Sequence, residues 1–243
     1  MIVAAHQPSY LPWLGYLDKL AKADVFVVMD DLQYEAQNFQ NRNRIKVNHG
    51  PHWLTVPLLR GSQSDRVLDK RIDNTGFGGR HHWQSRTWRT LVTHYGRAPY
   101  FTRYAPELED VYRRRWDALV ELDLHLLDLA RTWLGITRPI VRASSLGLRG
   151  AKTARIIDLC TRLHASVYLS GRGGSIGYLD VEALSRAGIS TVWQQFQHPV
   201  YPQRYPGVGF VSHLAFLDLL FNCGPDAAAL HTWSPQATKG PSS

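Results

Sequence analysis

Two short apolar runs flanking a helix-length segment constrain this chain more than any other feature. Residues 2–5 read Ile-Val-Ala-Ala, and 14–22 have helical periodicity behind Pro12, a residue suited to a first turn. Residues 24–29 then return as a run rich in β-branched and aromatic side chains. Two strands joined through a helix lie parallel with a right-handed crossover, and ligands of such sheets gather beyond the strands' carboxyl ends. Those ends fall at His6-Gln7 and Asp30-Asp31.

The rest of the chain extends this beginning. Residues 45–58 alternate like a hairpin, with the turn expected at His49-Gly50-Pro51. From 80 to 135 apolar residues recur every three or four positions, and two or three helices are expected. Strands then follow at 139–143, 165–169 and 191–196, with helices at 153–163, 181–187 and 214–221. The expectation is an α/β fold: a mostly parallel sheet flanked by helices, with an antiparallel hairpin excursion and a helical insertion. It is expected to occupy 1–232 as one domain with the insertion at about 80–135, and 233–243 as a disordered tail.

Composition narrows the function. With 44% hydrophobic residues the chain can bury an ordinary core, which excludes a disordered polypeptide. Its apolar runs are far shorter than the roughly 20 residues of a membrane-spanning helix, and no signal-peptide pattern opens it, so a cytoplasmic protein without a membrane partner is expected. Cys160 and Cys223 stand far apart with no CxxC spacing, so neither a metal nor a disulfide framework is expected, and no cofactor. A net charge of +8, with basic clusters at 41–46, 86–89 and 112–116, favours an anionic partner. Nucleic acid ranks below a phosphate-bearing molecule or an acidic carrier protein, because no nucleic-acid-binding motif accompanies the charge.

The polar residues at strand ends are the candidates for chemistry. His6 offers a general base, and the Gln7 amide offers to hold a carbonyl oxygen or oxyanion. Asp30 and Asp31 point oppositely along an extended chain. One is expected to face the cleft, where it orients the histidine or receives an amine, and the other to cap or pair. In Asn41-Arg42-Asn43-Arg44 and Lys46, the cations share one face of an extended segment, and the planar arginine fork suits carboxylate or phosphate. Ser170 and Gly171 open the run SGRGGSIGY, which reads either as a phosphate-cradling loop or as a turn that needs positive φ. Its spacing is not GxGxxG, and it lacks the P-loop Lys-Ser/Thr pair. His198, Tyr201 and Gln203 follow the last strand on a proline-stiffened loop, placed either to reach His6 or to form a rigid surface.

In order, HQPSYLPWLGYLDKL, ADVFVVMDDLQYE, NRNRIK, WLTVPL, YLSGRGG, YLD and LDLLFNCG resemble the WbqC-like protein family over about residues 1 to 224. Members are encoded beside polysaccharide and natural-product genes, and their association with acylated or aminoacylated amino sugars implies acyl transfer to an amine. The resemblance carries the family's recurrent polar residues onto His6, Gln7, Asp30, Asn41, Arg42, Ser170, Gly171, Tyr201 and Gln203. Members often have lysine where this chain has Ala36, which implies a different substrate if that lysine touches it.

The expected function is an acyl- or aminoacyltransferase. It would move a thioester-bound group, from an acyl carrier protein or its phosphopantetheine, onto a small-molecule amine. A nucleotidylyltransferase is an alternative, although Gly15 is followed by Tyr16 rather than the histidine of an HxGH pair. A non-catalytic module that binds a carrier protein or nucleotide sugar is another. A single pocket joining His6, Asp30 and Arg42 is the expected geometry.

Overall fold

The structure, a computed structural model, describes residues 1–173 and 177–228. The centre of the glycine-rich run, 174–176, and the tail expected at 233–243 lie outside the described residues. In chain order the elements are β1 (Ile2–His6), α1 (Leu14–Lys22), β2 (Val25–Val28), β3 (Arg42–Val47), β4 (Gly50–Thr55), α2 (Trp83–Tyr95), α3 (Phe101–Arg113) and α4 (Leu119–Trp133). They continue with β5 (Ile140–Arg142), α5 (Lys152–Arg162), β6 (Val167–Ser170), α6 (Val181–Arg186), β7 (Ser190–Trp193) and α7 (Phe216–Cys223). The α/β architecture is the one the sequence predicts: a parallel sheet in the order β5-β2-β1-β6-β7, and a separate antiparallel pair, β3 and β4. Boundaries move slightly. Pro12 precedes the helix N-cap Trp13 instead of opening the first turn. Val47 pairs with Gly50, so the hairpin turn is Asn48-His49, one residue early, and Gly50 takes a φ of +122°.

β1 sits in the middle of the sheet because its residues suit burial on both faces. Ala4 packs with Leu17, Leu20 and Phe26 in one core. Val3 and Ala5 pack with Ile156, Leu159 and Leu184 in the other. The chain therefore leaves β1 through α1 over one face and leaves β6 through α6 over the opposite face. Adjacent parallel strands whose connections diverge leave a crevice at their carboxyl ends. Among the described residues, no helix is long and apolar enough to cross a membrane.

The hairpin holds the loop that bounds this crevice. Asn43, fully buried on β3, donates from Nδ2 to the Tyr10 carbonyl (3.2 Å) and the Leu11 carbonyl (2.7 Å). Leu11 adopts a φ of +46°, a conformation that costs a non-glycine residue energy and persists when its surroundings fix it. From the other side the Phe216 amide donates to the Pro12 carbonyl (3.0 Å).

Burial also isolates Asp123 of α4, whose two carboxylate oxygens have no hydrogen-bond partner among the described residues. Desolvation pushes its pKa well above the carboxylate range, so it is held as the neutral acid.

Two outcomes follow for stability. Asn43→Ala is expected to destabilise the fold by about 1–3 kcal/mol in urea unfolding, since it strips the Tyr10 and Leu11 carbonyls of their donor. For Asp123, the unfolded carboxyl ionises near about 3.9 while the folded one keeps its proton to higher pH. The folded state therefore binds more protons above that point, and stability falls as pH rises from about 4 toward the raised folded value. Asp123→Leu is expected to remove this decline between pH 5 and 8, and an unchanged pH slope in the variant would contradict the neutral acid.

Candidate functional site

A cleft of about 680 Å³ opens where β1, β6 and β7 end. His6 comes from the end of β1, Tyr16 and Lys19 from α1, and Gly171 and Arg172 from the chain leaving β6. Gln194, Gln195, Phe196 and Gln197 enter from the chain leaving β7, while Trp13 and His213 close the wall.

The N-terminal motif builds much of this wall. A Cβ at Gly15 would lie 2.1 Å from Trp13 Cη2, so glycine there is what lets the indole fold over the first turn of α1. The ring then meets Phe196 edge-on at 5.4 Å and tilts against His213 at 5.1 Å. The same turn orients Gln194. Its Nε2 donates to the Gly15 carbonyl (2.8 Å) and to Asp18 Oδ2 (2.7 Å), which fixes the amide's orientation and leaves Oε1 as its acceptor end. Asp18 also pairs with Lys22 at 2.8 Å, tying α1 to the chain that leaves β7.

His6 is open to the cleft, and its ring lies edge-on to Tyr16 at 4.8 Å. Nδ1 is 3.1 Å from the Gln7 carbonyl, so in the neutral ring it carries the proton and donates. Nε2 remains as the proton acceptor. The packed wall behind the ring, and secondarily the Lys19 ammonium, hold its pKa well below the ordinary 6.5, against the pull of the Gln7 carbonyl. Lys19 is 3% exposed, donates from Nζ to the Ala5 carbonyl at 2.7 Å, and is pushed by burial to a pKa of about 8.

Of the residues singled out from sequence, His6 and Gly171 line this cleft. Asp30 is fully buried and accepts from Arg142 Nε (2.8 Å), the Ser144 amide (2.9 Å) and the Ser144 hydroxyl (2.7 Å). It holds the sheet's β2–β5 edge rather than His6. Asp31 pairs with Arg155. Gln7 accepts from Gln40 at 2.8 Å and donates to the Gln33 carbonyl at 3.4 Å, turned toward the chain that precedes the hairpin. Ser170 is buried, with its hydroxyl on the Gly171 carbonyl.

The hairpin residues lie elsewhere too. Asn41 donates to the Val56 carbonyl (2.9 Å) and accepts from Tyr34 (2.9 Å). Arg42 and Arg44 stack over the half-exposed Trp53 ring at 4.3 and 5.5 Å. Arg42 donates to the Gln37 carbonyl, and Arg44 reaches the His213 carbonyl at 3.5 Å, at the outer rim of the cleft. The expected pocket joining His6, Asp30 and Arg42 is not what the chain forms. Asp30 is enclosed by its own partners, and Arg42 belongs to the hairpin's outer face.

The loop after β7 does return to His6, but through other residues than expected. Gln203 uses its whole amide on Val211, Asp218 and Lys46, at 2.8 to 3.2 Å. Tyr201 donates to Asp218 at 2.9 Å, as does Tyr95 at 2.6 Å. This buried network fastens the loop to α7, α2 and β3 and leaves Gln203 no hydrogen-bonding capacity for a ligand. His198 stands behind His213, with ring centres 5.3 Å apart.

Sequence reasoning missed Lys19, Gln194 and His213. For Lys19 the sequence shows a position but not its burial: it lies three residues after Tyr16, on the side of α1 that starts above His6. Among the described residues, no group of three or more His, Cys, Asp or Glu is placed to hold a metal ion.

A profile of the WbqC-like protein family matches residues 7–230. The chain is also 32% identical over 228 residues to the uncharacterized protein Rv1507c of Mycobacterium tuberculosis, covering 93% of this chain and 95% of that one. No solved structure matches it.

The geometry at His6 predicts its titration. Proton NMR is expected to show the imidazole titrating below pH 6, and Lys19→Met is expected to move that midpoint upward by removing the neighbouring charge. A midpoint at 6.5 in the wild type would contradict a ring packed on the Tyr16 wall and facing Lys19.

Proposed function

The chain belongs to the WbqC-like protein family, and from that membership and the cleft at the sheet's crevice we propose that it is an acyl- or aminoacyltransferase. It moves a thioester-bound group, carried on phosphopantetheine, onto a small-molecule amine. The observation that carries this reading is a neutral His6, with Nε2 available as proton acceptor, in a cleft that, among the described residues, is lined by two cations, Lys19 and Arg172, and by no carboxylate.

In this reading the amine nitrogen attacks the thioester carbonyl carbon while His6 Nε2 takes its proton. Negative charge that develops on the carbonyl oxygen is favoured by the Arg172 guanidinium in the lining. The carbon–sulfur bond then breaks, His6 returns the proton to the departing thiolate, and an amide and a thiol leave. Neither Asp30 nor the Gln7 and Asn41 amides take part, since each is committed to other partners. Arg44 at the rim, with Arg42 on the neighbouring Trp53, supplies cations where the phosphate of an incoming arm passes.

Thiol release from acyl thioesters, as coenzyme A or carrier-protein derivatives, across a panel of amines tests the reading. Amine-dependent release is expected, with kcat reduced about 10²- to 10⁴-fold in His6→Ala. Full turnover in that variant, or no release by the wild type across the panel, would contradict it.

A further inference from the structure

We infer that Lys19 makes the inner end of the cleft a subsite for a substrate oxyanion, a phosphate or carboxylate group. This deepens the reading of the cleft as the reaction site and rests on it for location, not for chemistry.

Lys19 is a buried ammonium that has no counter-ion among the described residues. An ammonium carries three N–H donors, and Lys19 Nζ uses one of them, on the Ala5 carbonyl. No carboxylate lies within 4.0 Å of it among the described residues, although Asp18 is its neighbour in sequence. Asp18 is turned to Lys22 and Gln194 instead. The other charged or titratable groups of the cleft, His6 on β1, Tyr16 on α1, Arg172 beyond β6 and His213 on the returning loop, supply no negative charge, the Tyr16 phenol being held protonated by burial. Removing an ammonium from water without a partner is costly, and a fold with no use for the charge gains from a neutral side chain here.

Glycine at 171 also brings no side chain beside Nζ. A Cβ on Gly171 would come 3.8 Å from Lys19 Nζ and 4.0 Å from Gln194 Oε1, so a side chain at 171 would fill the gap between donor and acceptor. This gap is where we place a ligand oxygen. An oxyanion accepts from the ammonium, and one that retains a hydroxyl, such as hydrogen phosphate, also donates to Gln194 Oε1. A carboxylate satisfies the ammonium alone. Phosphate is therefore expected to bind more tightly than carboxylate.

Occupancy has a consequence for His6. Lys19 is the one charged side chain that depresses the imidazole, so an anion on the ammonium cancels that influence and strengthens the base when substrate arrives.

The test uses the intact protein, with inorganic phosphate and acetate as separate probes, and follows ε-carbon-labelled lysine and the His6 imidazole by NMR. Lys19 is expected to titrate near pH 8 alone, and millimolar phosphate is expected to raise both the Lys19 and His6 midpoints, by about one unit for Lys19. Acetate should do so more weakly. Lys19→Met is expected to weaken phosphate binding about tenfold or more, and Lys19→Arg to retain it. Midpoints unmoved by either anion, or phosphate binding to Lys19→Met as tight as to wild type, would overturn the subsite. If Lys19→Met does not fold, the wild-type titration decides alone. An intact phosphate response without thiol release rejects the reaction and keeps the subsite, and thiol release without any anion response does the reverse.

Discussion

Parallel strands cannot be joined by tight turns, so each connection must climb over one face of the sheet, and the chain has to choose which. It goes over one face after β1 and over the other after β6. Those two strands are hydrogen-bonded neighbours, with Ala4 opposite Leu169. Their following segments separate, and the gap between them is the cleft. His6 is on its floor because β1 ends there, and Lys19 is on its side because α1 starts above that end.

The remaining polar residues mostly make this gap a fixed shape. Asn43 clamps the strained turn at Leu11, and Gly15 admits the Trp13 indole. Asp18 locks Gln194, and the Asp218 network fastens the returning loop. The Asn43, Asp18 and Asp218 partnerships each satisfy buried polar groups and link segments far apart in the chain. The cost of leaving such groups unpaired is what fixes the walls. Among the basic groups of the cleft, Lys19 and His6 have displaced proton affinities and bonding capacity left over. Displaced proton affinities of this kind concentrate where proteins do chemistry.

Much of the fold was legible in sequence because local pattern decides it. The IVAA run, the helical spacing at 14–22 and the VFVV run each favour one structure regardless of the rest. The candidate site was legible only in part. His6 could be placed because a strand end fixes it. Asp30 could not be assigned, because its partners Arg142 and Ser144 lie 112 and 114 residues away. Gln203 looked like a ligand residue until Lys46, 157 residues distant, and Asp218 took up its amide. Lys19 was hidden for a related reason: a lysine in an amphipathic helix ordinarily reaches water, and here the chain leaving β6 and β7 covers it.

A structure with an unreactive amide analogue of an acyl-phosphopantetheine thioester bears on all of this at once. The account predicts the analogue's carbonyl in the cleft, with room for an amine nitrogen about 3 Å from both the carbonyl carbon and His6 Nε2. Density for the analogue on the Trp53 face of the hairpin, with nothing beside His6 and Lys19, would contradict it.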